Sequence, residues 1–203
     1  LTSSTVEVNE RTELNAGTFW SNTYSDLRQE NYVVYEPNRS VMPIVSSGSY
    51  STQLSTVSAA ARTLEADGYR VVAGINGDYY DTANGIALGS VMSEGVFRNI
   101  SGSYYALGFY DDGTAVMGKP NLRINAETDR GSTFGITAMN YVRQTSFGIF
   151  LYDDSFNARG TIGTSEPGLD IVCSVDRGEL GIGEELTLRV ENIVENGVDS
   201  AVG

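Results

Sequence analysis

Apolar residues in this chain occur in short runs separated by glycine, asparagine and aspartate, and one stretch alone has helical spacing. In SYSTQLSTVSAAARTLEADGYR (49–70), Leu54, Val57, Ala61 and Leu64 recur at intervals of three and four and fall on one face. Ser51 or Thr52 can cap the start, and Gly68 can take the left-handed conformation that ends it. The pattern predicts a helix at about 52–67. The apolar run YRVVAGI (69–75) follows at once. A helix leading into a fully apolar strand predicts a central strand covered on both faces.

Elsewhere the pattern is that of strands and turns. ENYVVYEP (30–37) and SVMPIVSS (40–47) read as strands, with Pro37-Asn38 as the turn of a hairpin between them. Residues 1–29 are polar, with GTFWS as an aromatic knot. Glu94-Gly95 marks a hairpin between ALGSVM and VFRNI, and Asp111-Asp112-Gly113 marks another within YYALGFYDDGTAVMG (104–118). Beyond about residue 120 come FGIFLYDD, LDIVCSV and LTLRVENIVENGVDSAVG, short strands between glycine-rich turns, with Asn196-Gly197 as a turn signal and no helix. The expected fold class is therefore α+β: a mixed sheet with one main helix, plus a β-rich subdomain. The boundary is placed so that 1–125 form one domain and 126–203 the other.

Composition supports strands and turns: 23 Gly and 12 Tyr against 4 Pro in 203 residues. The net charge of −13, from 26 acidic and 13 basic residues, argues against nucleic acid, whose phosphates need a basic surface. A small substrate with one phosphate still fits, given one arginine and some backbone N–H groups aimed at it. Arg98, Arg123 and Arg143 each lie near an expected strand. Histidine is absent, which removes the commonest general base and zinc ligand. Acid–base work falls to Asp, Glu, Tyr, Lys or water. The single cysteine, Cys173, has apolar neighbours and reads as a buried structural thiol. Adjacent aspartates in YDDS (152–155) do not by themselves make a metal site, so no metal or cofactor is expected. No apolar run approaches transmembrane length, and a chain starting at Leu1 reads as a mature or excised segment. Low Lys and Cys with high Ser, Thr, Asn and Tyr suggests a bacterial surface or extracellular setting.

The densest chemistry lies in GINGDYYD (74–81), at the end of the expected central strand. Asn76-Gly77 suits a sharp turn, and on its own the motif reads first as a turn in which Asn76 and Asp78 bond their own backbone. Side chains at the carboxyl ends of central strands also commonly line sites. Two carboxylates, an amide and two phenols in six residues can orient a sugar and supply a general acid or base. Downstream, Gly85 and Gly89 allow close backbone approach or simply make bends, and Ser90 and the Gly89 N–H can touch a ligand.

AARTLEADGYRVVAGINGDYYDTANGIALGSVMSEGVFRN, followed by YYALGFYDDGTAVMGKP, resembles the phosphodiester glycosidase family, which covers N-acetylglucosamine-1-phosphodiester α-N-acetylglucosaminidases and related bacterial envelope proteins. The matching order is Asn76, Gly77, Asp78, Tyr79 and Tyr80, then Gly85 with Leu88-Gly89, then Asp112-Gly113. NYVRQTSFGIFLYDDSFNARGTIGT is similar to a β-rich segment of longer bacterial members. The resemblance implies hydrolysis of a sugar-1-phosphodiester at the glycosidic bond, with a phosphate ester leaving. It implies Asp78 as acid, base or nucleophile, Asn76 and Tyr80 orienting the sugar, and Arg143 holding phosphate. Gly77, Asp81, Gly89 and Ser90 complete the expected substrate contacts. The family's Arg-Thr-Ala and Asp-Gly-Gly-Gly-Ser segments do not occur in these residues. The expectation is thus the first half of a catalytic domain with an inserted subdomain, its site completed by a C-terminal half or by self-association. A glycan-binding or structural surface module is the alternative.

Overall fold

The structure is a computed structural model and describes residues 2–102, 104–143, 148–164 and 166–202. The chain divides into two compact units, one of residues 1–43, 56–77 and 107–117, the other of 44–55, 78–106 and 118–203.

The first unit is built on a meander of β1 (Thr2–Asn9), β2 (Thr12–Ser21) and β3 (Asp26–Tyr35), all antiparallel. Local turn chemistry drives the pairing. The Asn9 carboxamide accepts the Arg11 N–H at 2.9 Å, Ser25 takes a positive φ of 51°, and the Asp26 carboxylate accepts the Leu27 N–H at 2.7 Å. Across the first pair, the Thr5 hydroxyl donates to the Asn15 carboxamide oxygen at 2.6 Å. The single helix, α1 (Val57–Ala66), belongs to the same unit. Thr56 caps it by accepting the Ala59 N–H, and Gly68 follows at φ 96°. The hairpin of β6 (Ala106–Phe109) and β7 (Ala115–Gly118) turns through Tyr110–Thr114, with Gly113 at φ 82°. A side chain at Gly113 would run into the Tyr35 hydroxyl.

The second unit holds four separate strand pairs. β4 (Val91–Ser93) pairs with β5 (Val96–Asn99) through the expected Glu94-Gly95 turn, both residues at positive φ. β8 (Ile124–Glu127) pairs with β9 (Thr133–Ile136), and β10 (Ala138–Met139) lies parallel to β11 (Phe150–Leu151). β12 (Gly168–Arg177) and β13 (Thr187–Gly197) form a long antiparallel ribbon. The seven fully buried apolar residues among those described, from Ile86 to Ile162, all lie in this unit. Phe97, Ile100 and Met139 form its core cluster, with Met92, Leu122, Ile124, Leu151 and Leu180 packed against it.

The fold departs from the expected α+β class with a mixed sheet and a main helix. Strands, in several small sheets, hold 41% of the described residues and the helix 5%. Residues 69–75 form no strand: Val71, Val72 and Ala73 are half-buried and Ile75 is 70% exposed. A central strand needs partners on both sides. Residues 40–47, expected as one strand, stay irregular, and of 30–37 the residues up to Tyr35 are paired with β2 instead. Adjacent strands joined by tight turns close at less entropic cost than distant ones. The helix starts at Val57, not near 52, because the Thr56 side chain caps it there. Within FGIFLYDD, Phe147 lies outside the described residues and pairing is confined to Phe150–Leu151. β13 runs through Asn196, which has φ 55°, and ends at Gly197 without a further hairpin. Cys173 is half-buried in β12, and burial followed by the nearby Glu191 carboxylate pushes its thiol pKa up.

Candidate functional site

In the second unit, residues 78–90 fold into a tight looped pair. The Leu88 N–H donates to the Tyr79 carbonyl at 2.8 Å, Tyr80 bridges Ala87, and the Asp81 N–H donates to the Ile86 carbonyl at 2.9 Å. Asp81 builds the tip. One carboxylate oxygen accepts the Ala83 N–H and the other the Asn84 amide, both at 2.8 Å. Gly85 closes the loop at φ 81°, and Ile86 anchors it at 1% exposure. Both Asp81 oxygens are therefore engaged in holding the turn, the self-bonding role expected of Asn76 and Asp78.

Asp78 differs. Its Oδ2 accepts the Gly89 N–H at 2.7 Å. The glycine makes that approach feasible, because a Cβ there would lie 2.5 Å from Oδ2. Oδ1 makes no hydrogen bond to the protein among the described residues, and Asp78 is exposed. Tyr79 and Tyr80 beside it are 85% and 48% exposed. An exposed carboxylate steadied through one oxygen, followed in the chain by two exposed phenols, can accept a proton or a sugar hydroxyl.

The Gly89 segment is itself pinned. Asn99 Nδ2 donates to the Ala87 and Gly89 carbonyls at 3.2 and 2.8 Å, and the Ser101 hydroxyl donates to the Leu88 carbonyl at 2.8 Å. Ser90 Oγ accepts the Ser101 N–H and donates to the Ser101 carbonyl, so its polar capacity is used within the fold. Asn76 and Gly77 are exposed, and the division between the units falls just after them.

Arg143 is a clamp. Its guanidinium donates to the Asp170 carboxylate at 2.8 Å, to the Gly197 carbonyl at 2.8 Å, and twice to the Glu166 carbonyl. Its side chain and that of Asp170 are 11% and 10% exposed. These donors tie the base of the β12–β13 ribbon together and are not turned outward to a ligand. Asn140 is also structural: fully buried at φ 50°, it donates to the Arg98 carbonyl at 2.9 Å and to Asp153 Oδ1 at 2.8 Å, and accepts the Asp153 N–H.

Tyr141 was not singled out by the sequence, although it sits inside the NYVR segment. Burial pushes its phenol pKa up, and the nearby Asp81 carboxylate and Tyr104 phenol push it further. It stays protonated at neutral pH and stands as a hydroxyl donor near the Asp81 turn. No group of three or more acidic or cysteine side chains among the described residues is arranged to hold a metal ion. The concave surface lined by Asn9, Glu10, Arg11, Pro37, Asn38, Arg39 and Ser40 contains none of the residues selected from sequence. Compared with protein-family models, curated proteins and solved structures, the chain matches none. Among the described residues, no helix is long and apolar enough to cross a membrane.

Proposed function

We propose that the chain supplies one side of a site that hydrolyses a sugar-1-phosphodiester at its glycosidic bond, in an extracellular or envelope setting. The observation that carries this reading is the Asp78 carboxylate, held by the Gly89 N–H at 2.7 Å with its other oxygen free of protein hydrogen bonds among the described residues. The order of Asp78, Tyr80 and Gly89 along the chain adds to it. In this reading Asp78 exchanges the proton, Tyr79 and Tyr80 pack against and orient the sugar, and the Asp81 turn holds them in place. The leaving group is a phosphate monoester, and water supplies the hydroxyl that ends on the sugar.

A second reading is a non-catalytic glycan-binding module, favoured by the 85% exposure of Tyr79, a ring presented for stacking. One incubation separates the two. The full-length protein is mixed with a methyl phosphodiester of N-acetylglucosamine-1-phosphate, and free reducing sugar is followed. Release supports hydrolysis. Saturation transfer from protein to the sugar without release supports binding alone, and neither signal rejects both.

A further inference from the structure

Among the described residues, no third strand extends the β12–β13 ribbon. Its pairing sorts the side chains by face. Ile171 is paired with Ile193, Cys173 with Val190 and Val175 with Leu188, and directly paired residues stand on the same side of a sheet. Leu169 joins them by alternation along β12. The apolar positions of β13, at 188, 190 and 193, break the two-residue period. A bulge repairs it: Val172 is paired with Asn192 and Cys173 with Val190, so Glu191 is the extra residue and Ile193 returns to the side of Val190. The opposite side is polar. There Asp170 takes the Arg143 guanidinium, Ser174 donates to Glu191, and Arg189 pairs with Asp176.

The apolar side is uncovered. Leu169, Ile171, Val175, Leu188, Val190 and Ile193 are 40% to 63% exposed. Those fractions leave a strip of about 600 Å², the upper end of what a monomer commonly exposes. An isolated two-stranded ribbon is also marginal in water until its apolar face is packed. The chemistry of the ribbon selects what packs there. Between Gly168 and Gly197 it has seven acidic residues, two arginines, no lysine and no aromatic ring. Segments that lie on a bilayer carry basic and aromatic residues, and sugars stack on aromatic rings, so the ribbon suits neither. A second copy suits it. The ribbon's charges lie off the apolar side, so two chains of net charge −13 can meet there without burying a carboxylate. Two such strips bury about 1,200 Å² together, the area at which specific interfaces begin.

We propose that the chain forms a two-fold dimer through the apolar side of the β12–β13 ribbon, with the two ribbons stacked as the layers of a sandwich about 10 Å apart. A two-fold axis lying across the ribbon sets its middle row, Cys173 with Val190, against the same row of the second copy. The Ile171–Ile193 row then meets the Val175–Leu188 row on each side of the axis. Asp78 takes no part in this contact, and the dimer does not depend on hydrolysis there.

The test is analytical ultracentrifugation of the full chain over a concentration series, with alkylation of Cys173 by N-ethylmaleimide timed on the same samples. Cys173 is the single thiol and lies in the middle row, so its reactivity reports this face without a variant. The expected result is a dimer with a roughly micromolar midpoint, and alkylation that slows as the concentration crosses it. Ile171→Lys and Asn192→Lys add the same charge to opposite sides of the ribbon. Ile171→Lys should raise the midpoint roughly a hundredfold, and Asn192→Lys should leave it in place. A wild type that stays monomeric throughout overturns the proposal. So does a dimer in which Cys173 reacts as fast as in the monomer, or an Ile171→Lys dimer as tight as the wild type. A monomer that floats with phosphatidylcholine vesicles gives the face to lipid and overturns it too. The wild-type series decides the matter even if a variant fails to fold.

Discussion

Gly89→Ala isolates the link between fold and chemistry. Gly89 is not among the residues at positive φ, so alanine suits its backbone. The added Cβ would stand 2.5 Å from Asp78 Oδ2 and 3.4 Å from its Cγ. Asp78 is exposed, so its carboxylate swings aside and loses the Gly89 N–H. That bond to a charged group is worth about 1–2 kcal/mol at most at such a site. The alanine restores about 0.4–1 kcal/mol by restricting the unfolded chain. The net change in stability is expected within about 1 kcal/mol. Activity responds differently: a carboxylate displaced by about 1 Å loses roughly a hundredfold in rate. Gly85→Ala is the control. Its φ of 81° and a Cβ 2.7 Å from the Thr52 carbonyl oxygen put the strain on backbone. It should cost about 2–4 kcal/mol. Urea unfolding and sugar release measured on both variants give the answer. A Gly89→Ala protein that keeps wild-type stability and wild-type release refutes the reasoning, because Asp78 then acts without Gly89 or does not act.

Other outcomes follow from the same contacts. Asp170→Asn weakens, and Arg143→Ala removes, a pair only about a tenth exposed. Arg143→Ala should lower stability by about 3–5 kcal/mol in urea unfolding, with Arg143→Lys failing to restore it. Asn140→Ala strands the Arg98 and Asp153 partners and puts a Cβ residue with no polar side chain at φ 50°, so it should destabilise more than Asn140→Gly, which loses the same bonds without the backbone strain. Burial pushes the Tyr152 phenol from 10.0 up to about 12. A raised folded-state value means its contribution is complete below pH 10 and is lost as pH rises towards 12. Because the ring is partly exposed, the loss should be no more than about 2 kcal/mol, and Tyr152→Phe should flatten that part of the stability–pH curve.

Turns were legible in the sequence where their chemistry is local. Glu94-Gly95 and Asp111-Asp112-Gly113 gave their hairpins because positive φ and side-chain caps need no distant partner. The β1–β3 meander was not legible beyond its last strand, since β3 is largely exposed, β2 is mostly only half-buried, and neither shows apolar alternation. The apolar run 69–75 misled for the converse reason: apolarity marks a tendency to be covered, not the presence of strands to cover it. At the site, sequence named both Asp78 and Gly89 but not the bond between them, which depends on the Asp81 turn and on Asn99 pinning Gly89 from another element. Arg143 carried the right residue type for phosphate, yet its donors are taken by groups 23 to 54 positions away, a fact no local pattern contains. Tyr141 becomes visible only once the fold brings it near Asp81.

The central claim is that the Asp78 carboxylate does chemistry on a sugar phosphodiester. The most direct measurement is reducing-sugar release from a methyl phosphodiester of N-acetylglucosamine-1-phosphate by the full-length protein and by Asp78→Asn, whose amide oxygen can still accept the Gly89 N–H and keep the loop. The account predicts release by the wild type and a loss of about a hundredfold or more in Asp78→Asn at unchanged thermal stability. Equal release by the two proteins, or none by the wild type, contradicts it.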